Sequence, residues 1–365
     1  MRRFRSALWT HWLPLLALLA WGKPAAAVGE LHLMNVSYDT AREFYADYNV
    51  AFSKHYLKET GRGVDVRQSH GGSQTQVQRV IQGLEADVVT LTSAGEIDQI
   101  AGKVDWIAAD WQKRLPDNSA PYTSTMVFLV RQGNPKNIRD WEDLLRPDVS
   151  VILASPKKSG GARWNYLAAW GAAVRRHLET LEQQGQPIGA AELAEAQEKG
   201  RQFVAALYTH ADVQDAGARA TTSVFTWRDR GDVLVTWESE SLQMLRQFKS
   251  KHYEIVTPSI SILAEPAVAI VDKVVDKHGT RTLAEAYLQY LYSPEGQELA
   301  ARHFYRPRLP EAAAKAGLEF PKLKLFTVDE LFGGWKQAEA LHFANVGIYD
   351  QIRAAAPPAP PGQAK

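Results

Sequence analysis

The chain has 365 residues, with 42 Lys and Arg against 41 Asp and Glu, a formal net charge of +1, and no cysteine. That balance argues against nucleic acid or an anionic membrane as partner, and the lack of cysteine excludes a disulfide framework and a lipid-bearing cysteine anchor. Stability must come from a large apolar core, which a chain of this length can build, and the length suggests two domains of ~150 residues each.

Residues 1–27 read as a secretory signal peptide. Arg2, Arg3 and Arg5 supply the basic start, Trp12 to Trp21 an apolar stretch of ten residues, and Ala25-Ala26-Ala27 a cleavage site. Ten residues fall short of the ~20 that a bilayer span needs. Cleavage removes four basic residues (Arg2, Arg3, Arg5 and Lys23) and no acidic ones, which takes the formal charge from +1 to −3. The expected product is a free protein in the periplasm of a Gram-negative cell.

Along the mature chain, Leu31–Val36 reads as a strand. A helix follows from about Thr40 to Lys58, with Phe44, Tyr48, Ala51 and Phe52 on helical spacing. Val64–Gln68 is a second strand. The turn Ser69-His70-Gly71-Gly72-Ser73 then opens a helix whose Val77, Val80, Ile81 and Leu84 form an i, i+3, i+4, i+7 stripe. Asp87–Leu91 and Thr125–Val130 are apolar strands. A second turn, Ser159-Gly160-Gly161-Ala162-Arg163, opens the aromatic and Ala-rich stretch Trp164–Trp170. Residues 178–205 suggest a surface helical hairpin without chemistry. Asp215-Ala216-Gly217-Ala218-Arg219 precedes a polar stretch with helical character, and Trp237 ends the apolar strand that starts at Val233. Ala267–Val271 is a last apolar run, and Ala354–Lys365 is a Pro/Ala tail expected to be extended and disordered.

Strands alternating with helices predict an α/β protein with mainly parallel sheets. Thr125–Val130 and Ala267–Val271 each follow a proline-marked stretch, Ala120-Pro121-Tyr122 and Ala264-Glu265-Pro266. They are expected to be paired crossings between two lobes, the second inserted in the first: residues 28–121 and 263–353 in one, 122–262 in the other.

The Ser/Gly turns share one physical property. Glycine lets another group approach the backbone, and the first-turn N–H groups of a helix have no intrahelical partner, so such a terminus can seat an anion. Either turn alone reads as an ordinary capped helix. With Ser37-Tyr38-Asp39-Thr40 and the Gly217 segment there are four, and in α/β sheets ligands sit beyond the strand carboxyl ends, where such turns lie. Trp237 either packs or donates its indole N–H into a cleft.

Catalysis is poorly supported. His70-Gly71-Gly72 faintly resembles a lipase oxyanion loop, which keeps a secreted esterase as the rival class, but no G-x-S-x-G elbow exists. There is no Walker A motif, no H-E-x-x-H and no His/carboxylate cluster for a metal, so neither metal nor cofactor is expected. His70 reads as a structural hydrogen-bonding group.

Several segments together resemble the periplasmic sulfate-binding proteins of ABC importers, over about Leu31 to Ile352. They are Asn35-Val36-Ser37-Tyr38-Asp39, Gln68 to Ser73, Glu85 to Leu91, Ser119 to Thr125, Ser159 to Trp170, Ile262-Leu263-Ala264-Glu265-Pro266, Tyr292 to Gln297 and Phe332-Gly333-Gly334-Trp335. The resemblance implies a type II periplasmic-binding-protein fold, two α/β lobes joined by hinge strands that close on a desolvated sulfate. It implies neutral donors: the Asp39 N–H and Ser73 from the first lobe, and from the second the Ser159 hydroxyl, the Gly160, Gly161 and Ala218 N–H groups and the Trp237 indole N–H. It further implies a monomer that is no enzyme and that delivers sulfate to permease and ATPase subunits. Thiosulfate is the alternative ligand, and the retained Gly161 and Trp237 favour sulfate.

Overall fold

The computed structural model describes residues 30–249 and 252–355. The signal-peptide assignment to residues 1–27 lies outside them, as does the tail from residue 356 onward; Ala354 and Ala355 complete the helix Ile348–Ala355.

The first sheet contains β1 (Leu31–Tyr38), β2 (Val64–Gly71) and β3 (Val88–Leu91). β1 lies between β2 and β3 and is parallel to both. α1 (Arg42–Thr60) connects β1 to β2, and α2 (Ser73–Ile81) connects β2 to β3. A short 3₁₀ turn, Asp39–Ala41, precedes α1. Both early strands run two or three residues further than their apolar runs suggested. Their last residues, Ser37-Tyr38 and Ser69 to Gly71, are polar or small because they approach the sheet's carboxyl edge, and pairing continues there to Tyr38 against Gly71. α1 buries Phe44, Tyr48, Phe52 and Tyr56 on one face, four residues apart as a helix stripe requires. Their core is rich in tyrosine, and two pairs of hydroxyls satisfy one another, Tyr38 with Tyr305 and Tyr45 with Tyr122 at 3.1 Å each.

α3 (Ala94–Lys103) follows β3, and the single turn α4 (Pro116–Ser119) leads into β4 (Tyr122–Thr123). The second sheet is then built from β5 (Met126–Arg131) and β6 (Val151–Ala154), followed after α5 (Gly160–Gln183) and α6 (Ala190–His210) by β7 (Asp212–Gln214). α7 (Ala218–Trp227), β8 (Val233–Trp237), α8 (Glu238–Gln247) and β9 (Tyr253–Val256) complete it, in the order β7-β6-β8-β5-β9. β5 is antiparallel to both neighbours, whereas β6 is parallel to β7 and β8. α5 and α6 are the helical hairpin expected around 178–205, and its Leu178, Ala196 and Val204 are buried in the second core.

The two apolar runs read as paired crossings do not pair with each other. β5 belongs to the second sheet, and β11 (Ala267–Ile270), after β10 (Ile260–Ile262), lies antiparallel to β3 at the edge of the first. The strands touch just before these runs. Ser124 and Ala264 exchange backbone hydrogen bonds at 2.9 Å in both directions. A third passage follows: β12 (Arg306–Pro307) pairs with β4, and β13 (Lys324–Phe326) pairs with β10. Beyond it Phe326, Phe332, Phe343, Tyr349 and Ile352 are buried in the same core as Trp141 and Trp164 under the second sheet. These five residues, expected with the first lobe, thus bury their side chains under the second sheet, while Trp335 packs against both cores.

Candidate functional site

Four helical starts from both sheets meet at the strand carboxyl edges: Asp39 after β1, α2 after β2, α5 after β6 and α7 after β7. Contacts join Ser73 to Gly160, and Gly161 to Trp237 and Ala218, while Asp39 reaches the start of α7 at Arg219. Gly160 N–H donates to the Ser73 hydroxyl oxygen at 3.1 Å. A Cβ on Gly160 would lie 1.9 Å from Thr92 Oγ1, 2.3 Å from Glu96 Oε1 and 2.4 Å from Ser73 Oγ, and one on Gly161 would lie 2.5 Å from Trp237 Nε1 and 3.4 Å from the Ala218 Cβ. Only glycine permits this approach. Ser159 is the N-cap of α5, its hydroxyl accepting the Ala162 N–H at 3.2 Å. Ser73 is not a cap; Gly72 takes that position, and Ser73 opens the first turn of α2.

Asp39 opens the 3₁₀ turn before α1. It takes the neighbouring Thr40 N–H on Oδ1 at 3.0 Å, but its Oδ2 accepts the Arg219 N–H at 3.2 Å. A carboxylate of the first sheet's edge therefore caps α7 on the other side, where the positive helix end favours it. Burial raises the Asp39 pKa despite the Arg219 N–H and guanidinium, which act the other way.

Trp237 is buried at the end of β8, and its indole Nε1 finds no hydrogen-bond partner among the described residues. The ring stacks on Tyr38 of the first sheet, centroids 6.3 Å apart at 28°, and meets Trp164 edge-on. A buried N–H that goes unpaired costs about 1–3 kcal/mol. Packing alone does not account for a Trp whose only donor points at the start of α5.

Charges lie around these donors without filling their place. The Arg219 guanidinium grips both oxygens of Glu43 at 2.8 and 2.9 Å, and its Nε lies 2.9 Å from Glu240 Oε1. Burial pushes the Glu240 carboxyl up to about 7 against the pull of Arg219. Burial also works to raise Glu43, but Arg219 outweighs it and holds that carboxyl below its ordinary value. Behind Glu240, Arg306 binds both oxygens of Glu238 at 2.6 and 2.7 Å.

His70 has no catalytic partner. Its Nδ1 lies 3.1 Å from the Tyr38 carbonyl oxygen and its Nε2 bonds Gln68, while burial lowers its pKa and favours the neutral ring. Sequence reasoning missed Glu96 and Thr92, which contact Ser73. Their only signal is Ser93-Ala94-Gly95-Glu96, a capping-box pattern before an apolar stretch, yet Ser93 makes no side-chain cap and Glu96 turns inward.

A family model described as bacterial extracellular solute-binding protein matches residues 35–306. The chain is 56% identical over 325 residues to the sulfate-binding protein of Escherichia coli strain K12, covering 88% of this chain and 93% of that one. It is 45% identical over 338 residues to the thiosulfate-binding protein of Pseudomonas aeruginosa, covering 93% and 96%. The solved structure of the sulfate-binding protein SubI from Mycobacterium tuberculosis H37Rv superposes with a TM-score of 0.72 at 31% identity, over 85% of this chain and 99% of the other.

Proposed function

We propose that this chain, which belongs to the bacterial extracellular solute-binding protein family, captures sulfate in the periplasm and hands it to the membrane permease of an ABC-type importer. It works as a single copy with two lobes: residues 28–121 with 263–323, and residues 122–262 with 324–353 packed on them. The hinge lies where Ser124 and Ala264 pair, between Tyr122 and Pro266. The observation that carries the reading is the unpartnered Trp237 N–H, buried against the first turn of α5 and beside Ala218.

In this reading the anion lies among Ser73 at the start of α2, the N–H groups of Asp39, Gly160, Gly161 and Ala218, the Ser159 hydroxyl and the Trp237 indole. First-turn amides and an indole donate without carrying a formal charge, and Arg219 is already committed to Glu43 and Glu240. Sulfate near pH 7 has only acceptors to offer, so a donor set suits it. Each lobe supplies part of the set, so a bound anion favours the form in which the lobes meet. Hydrolysis has no support here, since Ser73 bonds Glu96 and His70 is engaged elsewhere.

Calorimetric titration with sulfate, thiosulfate, phosphate and molybdate tests the reading. Sulfate should bind most tightly. Tighter binding of thiosulfate would move the protein to the thiosulfate branch, and no heat with either anion would defeat the assignment.

A further inference from the structure

Trp164 lies in the second turn of α5 and is buried with the second core. Its indole N–H donates at 2.8 Å to the carbonyl oxygen of Thr92, the residue that follows β3 of the first sheet. Both residues are buried. A donor and an acceptor from different sheets are joined here directly, and neither belongs to the donor set proposed for sulfate.

Trp335 packs against the same indole. The two rings meet edge-on, centroids 4.7 Å apart at 83°, an arrangement that aromatic pairs prefer. The segment carrying Trp335 is tied to α5 by the Arg163–Glu339 ion pair. The Trp335 ring nevertheless also packs against the first sheet's core. A Cβ on Gly95 of α3 would lie 3.0 Å from Trp335 Cε3, so α3 presents no side chain where the ring meets it.

We propose that Trp164 and Trp335 form a clamp across the two lobes, which stabilises the closed form without touching the anion and so sets how long sulfate is held. With the lobes apart, the Thr92 carbonyl and the indole N–H face water. On closure they exchange water for one another, and Trp335 covers α3. The clamp favours a state of the protein and not a particular anion, so it acts equally on every ligand that closes the lobes. Encounter with the open cleft does not use it, and its contribution therefore falls on release. Both tryptophans are positioning residues, and this inference rests on the reading of sulfate captured between two closing lobes.

Trp164→Phe keeps a ring against Trp335 and Trp237 and deletes the N–H. Sulfate affinity should fall ~3- to 10-fold, through faster release at an unchanged association rate in stopped-flow tryptophan fluorescence. Selenate, a tetrahedral dianion of the same kind, should lose the same factor. Trp335→Ala, at a half-buried position, should speed release in the same way. An unchanged release rate in either folded variant would leave that tryptophan as core packing and overturn the clamp. A loss carried by the association rate, or one that selenate does not share, would put Trp164 against the anion and overturn it equally. Where thermal melting shows that Trp164→Phe does not fold, Trp335→Ala decides by the same readings. The unsubstituted protein is titrated in the same series. Its failure to bind sulfate would defeat the sulfate reading itself, whereas normal binding with unmoved release in the variants would defeat only this inference.

Discussion

A Cβ placed on Gly161 would come within 2.5 Å of the Trp237 indole nitrogen, so the start of α5 and the indole N–H meet with no room for a side chain between them. Trp237→Phe keeps an aromatic ring against Tyr38 and Trp164 but deletes the donor. Sulfate affinity should fall ~10- to 150-fold, the worth of a hydrogen bond to a charged group, while the thermal midpoint stays close to that of the parent. Unchanged affinity in a folded variant would assign Trp237 to packing.

Gly160 tests closure rather than chemistry. A methyl group there would overlap Thr92, Glu96 and Ser73, all from the first sheet's side, while Gly160 opens a helix of the second. Each lobe can fold around Gly160→Ala; what the variant blocks is their approach. Small-angle scattering should show sulfate reducing the radius of gyration of the parent and leaving that of Gly160→Ala unchanged. Equal scattering of the parent with and without saturating sulfate would leave a rigid anion pocket in place of a closing trap.

Much of the proposed site was legible in the sequence because most of the donors proposed for it are backbone groups. Glycine before a helical stripe marks where N–H groups are open, and Gly160, Gly161 and Ala218 carried that signal. So did β8, whose apolar run stops at Trp237. Less visible was anything that depends on which residues meet across sheets. Sequence shows only the chain neighbours of Asp39, whereas the helix its carboxylate caps begins 179 residues later at Ala218. Glu96 was missed for the same reason. The third passage was hidden because β12 and β13 are only two and three residues long, too short for a period to show.

Glu240 should leave a mark on stability against pH. Its carboxyl titrates near 7 in the folded chain and near 4.3 in an unfolded one. Between those values the folded chain keeps a proton that the unfolded chain has lost, so stability falls as pH rises through the window and levels off above about 7. The raised Asp39 acts in the same direction, and Glu43, held low, costs stability only as pH falls below the ordinary carboxylate range. Glu240→Gln should remove most of a decline of about 2–3 kcal/mol between pH 4.5 and 7, read from urea midpoints at several pH values. An unchanged slope in the variant would place the titration elsewhere.

Ligand choice follows from which acceptors remain free. Of the carboxylates around the proposed anion, Glu96 accepts from Thr92, Gln74 and Ser73, Asp39 from the Thr40 and Arg219 N–H groups, and Glu240 lies against the Arg219 guanidinium. A ligand that carries a proton would bury an O–H against a set made of donors. Hydrogen phosphate is such a ligand at neutral pH, and sulfate is not. The unpaired group costs about 1–3 kcal/mol, and repulsion between its oxygen and the site's lone pairs adds to that. Phosphate should therefore bind at least ~100-fold more weakly than sulfate, while selenate, doubly charged and unprotonated, should stay much nearer to sulfate than phosphate does. Raising the pH from 7 to 8 should not rescue phosphate, because hydrogen phosphate keeps its last proton throughout that range. Comparable affinities for phosphate and sulfate in competition calorimetry would mean that one of these carboxylates turns to the ligand, and the donor-only account of selectivity would have to be given up.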